Sequence, residues 1–113
     1  MKKIEVLPNR IPIFPLSNFI IFPETSIPLN IFEPRYIEMI DDSMKGPRMI
    51  GMIQPKKTGM LNKPDLYDVC CVGKITNFNE TSDGKYFIII NGISRFKITK
   101  EISTEKLYRI YKN

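Results

Sequence analysis

A chain of 113 residues has the length of one domain, and with 42% hydrophobic and 26% charged residues it should fold around one core. No apolar run approaches the roughly 18 residues of a membrane-crossing helix. The opening MKKIEVLPNR has two lysines but no apolar signal stretch, so a cytoplasmic location without a membrane partner is expected. The net charge of +5 comes from scattered cations, with only Lys56-Lys57 adjacent beyond the N-terminus, which argues against a nucleic-acid partner.

Nine prolines, most of them in the first 55 residues, forbid long central strands there, because each removes a ladder donor. Short strands are expected at RIPIF (10–14), at FIIF (19–22) and at SIPLNIF (26–32), the last placing Ile27, Leu29 and Ile31 on one face. NIFEPRY (30–36) is the next signal. Pro34 suits the first position of a helix, and the residue before a proline is held out of the α region, so Glu33 should sit just outside it. Ile37, Ile40 and Met44 give a helix over about 34–45 its apolar stripe, with Glu38, Asp41 and Asp42 on a solvated opposite side. Gly46 and Pro47 should end it. RMIGMIQ (48–54) is apolar on both faces, as a doubly buried strand is, and Gly51 marks a bend or a close backbone approach. PKKTGMLNKPD (55–65) reads as an exposed loop. A meander follows: YDVCCVGKITNF (67–78), a turn at Asp83-Gly84, KYFIIIN (85–91), a second turn at Asn91-Gly92, RFKIT (95–99) and a last strand in LYRIY (107–111). The expected class is mainly β with one helix: a small closed or half-closed β structure with the helix plugging one side.

The chain contains no histidine, which removes Ser-His-Asp and Cys-His nucleophiles and most catalytic zinc sites. It has neither a phosphate-cradling G-x-x-x-x-G-K-[ST] loop nor a dinucleotide-binding glycine motif. No serine or lysine is marked as an activated pair, and Asp41-Asp42 reads as solvated surface. Cys70 and Cys71 are neighbours, so in a strand they point to opposite faces and should be reduced, packed thiols, neither bridged to each other nor holding a metal. No catalytic residue, metal ligand or cofactor is therefore expected; the chain reads as a binding protein.

The stretch IPIFPLSNFIIFPETSIPLNIFEPRYIEMIDDSM resembles the opening of the N-terminal domain of Lon proteases: P-L-x-N-x-x-x-F-P from Pro15 to Pro23, a strand ending in F-E-P-R-Y, and the amphipathic helix. RMIGMIQP, LYDVCCVGKITNFNETSDGKYFIIINGISRFKI and YRI continue the resemblance in order, from about residue 10 to residue 111. F-E-P-R-Y combined with G-x-x-R-F (Gly92 to Phe96) is a specific pairing of motifs. The resemblance implies a six-stranded PUA-like pseudo-barrel with one helix. It implies one domain over 1–113 that comprises only the barrel lobe, without the ATPase, peptidase or C-terminal helical segments. It implies a non-catalytic domain that recognises protein substrates, unfolded or flexible, for ATP-dependent proteolysis carried out elsewhere, with ATPase and peptidase domains as partners in trans. Cys70 departs from the family pattern, where glycine is usual.

Two sets of site residues follow. Glu33, Pro34, Arg35 and Tyr36, with Gly92, Arg95 and Phe96, are candidates for a structural joint, Glu33 or Arg35 pairing with a group such as Arg95. Truncating one partner of such a buried pair would cost roughly 3–5 kcal/mol. Met52, Met60 and Leu61 are candidates for partner contact, methionine being suited to a surface that tolerates many partners. Two other readings stay open: an RNA-binding PUA-like module using Arg95-Phe96-Lys97 and Tyr108-Arg109, and an architectural domain that self-associates into a homo-oligomer.

Overall fold

The computed structural model describes residues 7–16, 22–60, 63–67 and 69–112, with 56–60 and 63–65 placed by backbone alone. The expected strand at 19–22 therefore lies outside the described residues except for Phe22, which is in a turn. In chain order the elements are β1 (Arg10–Pro15), β2 (Ser26–Ile31), α1 (Pro34–Met44), β3 (Met49–Ile53), β4 (Pro55–Met60), β5 (Lys63–Leu66), β6 (Val69–Glu80), β7 (Tyr86–Lys97), β8 (Lys100–Ile102) and β9 (Arg109–Lys112). Seven strands form one open sheet in the order β2-β7-β6-β3-β1-β9-β8. The mainly β class with one helix stands, with seven strands in a sheet that does not close where the resemblance implies six. Every pairing in it is antiparallel except β1 with β3, which run parallel because β2 and α1 intervene.

Three local expectations change. Residues 55–66 are not a loop: β4 and β5 pair as a separate antiparallel hairpin. Asn91-Gly92 is not a turn, because β7 runs unbroken from Tyr86 to Lys97. Its pairing with β6 shifts register at two places, where Ile93 and Thr76 are the extra residues of bulges. A bulge bends a strand and reverses which residues face inward beyond it. The third change concerns the core. The described buried side chains form two clusters instead of one. Ile50, Met52, Ile75, Ile88 and Ile90 pack with Met39 and Ile40 of α1 in one of them. Ile11, Ile13, Met49, Val72 and Phe96 fill the other. Adjacent residues of β3 fall in different clusters, as alternation along a strand buried on both faces requires.

The joint at residues 30–36 is built as its sequence predicts. Glu33 is extended (φ −71°, ψ 136°), its carbonyl accepts from the amides of Tyr36 and Ile37 at 2.9 Å, and Pro34 opens α1. At the other end the left-handed residue is Arg48 (φ 62°), not Gly46; its amide closes on the Ser43 carbonyl at 3.0 Å. Among the described residues, no helix is long and apolar enough to cross a membrane.

Candidate protein-binding groove

The functional candidate starts from a single row of side chains. Register places Phe14 beside Met52, Met52 beside Cys71, and Cys71 beside Arg95, across β1, β3, β6 and β7. Phe14 and Met52 belong to the cluster that α1 helps to cover. Towards Arg95 the same face lines an open groove of about 280 Å³. Leu16, Met52 and Cys71 line it together with Phe22, Tyr67 and Val69, which are 50%, 51% and 50% exposed.

Phe22 reaches the groove through backbone geometry. Phe22-Pro23-Glu24-Thr25 forms a turn in which the Thr25 amide donates to the Phe22 carbonyl at 3.3 Å. Pro23 fits the second position, and Glu24 takes the left-handed third (φ 70°), the signature of a type II turn. The turn is pinned to β7 at Gly92: the Glu24 amide donates to the Gly92 carbonyl at 2.8 Å, and the Gly92 amide to the Thr25 carbonyl at 2.7 Å. Gly92 is thus a docking point in mid-strand.

The groove holds no reactive nucleophile. Burial pushes the Cys70 thiol up to about 12, with the neighbouring Cys71 adding to it. Burial also raises Cys71, although the Arg95 guanidinium pulls the other way. Both are free thiols, protonated near neutral pH and packed as the sequence predicts.

The residues expected at the structural joint separate into two places. Arg35 Nε donates to Glu33 Oε2 at 2.8 Å, with side chains 37% and 43% exposed, and the guanidinium lies 4.7 Å from the centre of the Tyr36 ring. That ring packs edge-on against Phe14 at 4.6 Å. The expected pairing with Arg95 is absent: Arg95 sits on the groove rim, and Phe96, next to it, is buried in the second cluster. The Glu33–Arg35 pair is short-range because Pro34 holds the two residues on either side of one sharp bend. Of the expected partner contacts, Met52 is 2% exposed and offers only its end to the groove floor. Met60 closes the β4–β5 hairpin by its backbone, opposite Lys63, and Leu61 lies outside the described residues. Sequence reading missed Phe22, Tyr67 and Val69. The signal was there in Val69-Cys70-Cys71-Val72, where alternation forces one apolar set outward unless something covers it.

A second cleft, of about 630 Å³, lies between α1 and the segment before β9. It is polar: Arg109 holds Glu101 with two contacts of 3.1 and 3.0 Å, and Lys106 pairs with Asp42 at 3.3 Å. Its charges are matched within the cleft.

The sequence model of one family, described as the ATP-dependent protease La (LON) substrate-binding domain, matches residues 10–112. The chain belongs to that family. Among Lon family members, the Lon protease of Cytophaga hutchinsonii is 31% identical over 103 residues, and Lon protease 2 of Sorangium cellulosum is 26% identical over 104. Each match covers 89% of this chain but 13% of the relative, so the chain spans a small part of those proteins. The crystal structure of a Lon N-terminal domain protein from Xanthomonas campestris superposes with a TM-score of 0.71 at 20% identity, over 91% of this chain and 57% of that one. The N-terminal domain of the Mycobacterium avium complex Lon protease gives 0.66 at 13%, over 91% and 52%. At these identities the superpositions speak for the fold alone, and they agree with the Lon N-terminal architecture. In the terms of that family, F-E-P-R-Y is the strand-to-helix joint of this chain, while G-x-x-R-F sets the turn at Gly92 and the rim at Arg95.

Proposed function

We propose that this domain is a non-catalytic protein-recognition module that holds unfolded or flexible protein segments in the groove at Met52, Cys71 and Val69, for ATP-dependent proteolysis carried out by ATPase and peptidase domains elsewhere. One observation carries the reading: among the described residues five large hydrophobic side chains are exposed, and three of them, Phe22, Tyr67 and Val69, surround this groove. Clustered exposed apolar surface marks an interaction site more than scattered surface does. Membership of the Lon substrate-binding family supports a protein as the occupant.

The energetics fit transient capture. The exposed halves of these three side chains offer on the order of 250 Å², about 6 kcal/mol from this side at 25 cal/mol per Å². Association costs of about 4–15 kcal/mol are of the same size, so binding should be weak and tolerant of sequence. Strand addition at the free edge of β2 is a poorer route, because Pro28 at its centre has no amide to donate.

Fluorescence anisotropy with a labelled unfolded casein and with single-stranded RNA, at low and high salt, tests the proposal. Casein should bind at both salt concentrations, and Val69→Asp and Tyr67→Ser should each weaken it about tenfold, as loss of a central apolar contact does, at an unchanged melting temperature. Binding of RNA alone, collapsing as salt rises, would replace this reading with a nucleic-acid one.

A further inference from the structure

The groove is apolar on its floor but cationic along one rim. Arg95 faces Cys71 across the β6–β7 ladder, and Lys97 faces Val69 one step further out. Directly opposed residues share a face, so both cations stand beside the groove's apolar side chains. Both are exposed. Among the described residues, Arg35, Lys85, Lys106 and Arg109 each hold a carboxylate, but no carboxylate pairs with Arg95 or Lys97. No described residue lining the groove is acidic.

Unpaired cations beside an apolar floor complement one kind of occupant. In an extended chain, residues i and i+2 point the same way and lie about 6.6–7 Å apart. That is close to the span from the floor at Cys71 to the head of the Arg95 side chain, since opposed residues on neighbouring strands are only about 5 Å apart. We infer that Arg95, with Lys97 beside it, makes this groove selective for extended protein segments that carry an aspartate or glutamate two residues from an apolar anchor. The inference rests on the proposed function, since it names the substrate class of the same groove. The anchor supplies the affinity and the acid supplies the choice.

Labelled peptides with one phenylalanine anchor and Asp, Asn or Lys at the i+2 position, all amidated at the C-terminus, provide the test. A further Asn peptide keeps its free terminal carboxylate. The wild-type domain should prefer the Asp peptide over the amidated Asn peptide by about fivefold at low salt, with the preference fading at high salt. Arg95→Gln should bind both at the level of the Asn peptide, and Arg95→Glu should prefer the Lys peptide. Equal binding of Asp and Asn peptides by the wild type, with both lost in Val69→Asp, would leave the groove standing and overturn the selectivity. A preference seen only for the free terminus would assign Arg95 to chain ends and also overturn it. Failure of every peptide to bind, or wild-type binding by Val69→Asp, would remove the groove itself.

Discussion

A Cβ added to Gly92 would stand 2.4 Å from the carbonyl oxygen of Phe22, and that oxygen is backbone in a turn already tied to β7 by two hydrogen bonds. Relief requires the turn to move, which would carry Phe22 away from the groove. Gly92→Ala is expected to cost about 1–3 kcal/mol, as overpacking does, and to weaken casein binding beyond the loss of stability. A urea midpoint equal to that of the wild type would refute this account. Arg35 illustrates the opposite case. Its ion pair with Glu33 is more than one-third exposed, where solvent screens it, and the cation–π contact with Tyr36 adds a similarly small amount. Arg35→Ala should therefore lower stability by only about 1 kcal/mol in chemical denaturation, well short of the 3–5 kcal/mol of a buried pair. A loss of that larger size would restore the buried joint.

At the scale of the element, α1 is held by its acids as much as by its apolar stripe. Met39 and Ile40 are fully buried against the sheet. The three acids expected in water each accept a hydrogen bond: Asp41 from the Tyr86 hydroxyl at 2.6 Å, Asp42 from the Tyr108 hydroxyl at 2.7 Å, and Glu38 from the Leu107 amide at 2.9 Å. The bond from Tyr108, helped by Lys106, holds Asp42 below the usual aspartate range. A depressed folded pKa stabilises the fold at pH values above the ordinary aspartate pKa. That contribution disappears as pH falls through the lower folded value. Tyr108→Phe removes the donor, so it should cost about 1 kcal/mol at neutral pH, in the range of a single hydrogen bond. The gap to wild type should narrow as pH drops below the aspartate range. Urea titrations across pH 2–7 measure it, the span following from an ordinary aspartate pKa of about 3.9. A gap that stays constant with pH would show that Asp42 is not the partner responsible.

At the scale of the whole molecule, 42% hydrophobic residues are divided between two clusters, and the groove lies where the first runs past the cover of α1. The alternation of Ile27, Leu29 and Ile31, the all-apolar β3, and the Pro34 start of the helix were legible because each depends on neighbours within a few residues. The length of β7 was not, because the glycine in Asn91-Gly92 is used for close approach by residues 22–25, and a turn leaves the same local trace. Nor was the β4–β5 hairpin, since lysines, glycine and proline are compatible with either state.

The order of the elements, the position of the helix, the fate of the two thiols and the Lon family pattern were all determined by the sequence itself, because periodicity, proline geometry and motif spacing are local properties of a chain. The tertiary structure alone decided that Phe22, Tyr67, Val69 and Arg95 share one groove, and that three helix acids serve as clasps. These residues are far apart in sequence and meet only through strand order and register. Long-range pairing is what places an apolar side chain at the edge of a core or outside it.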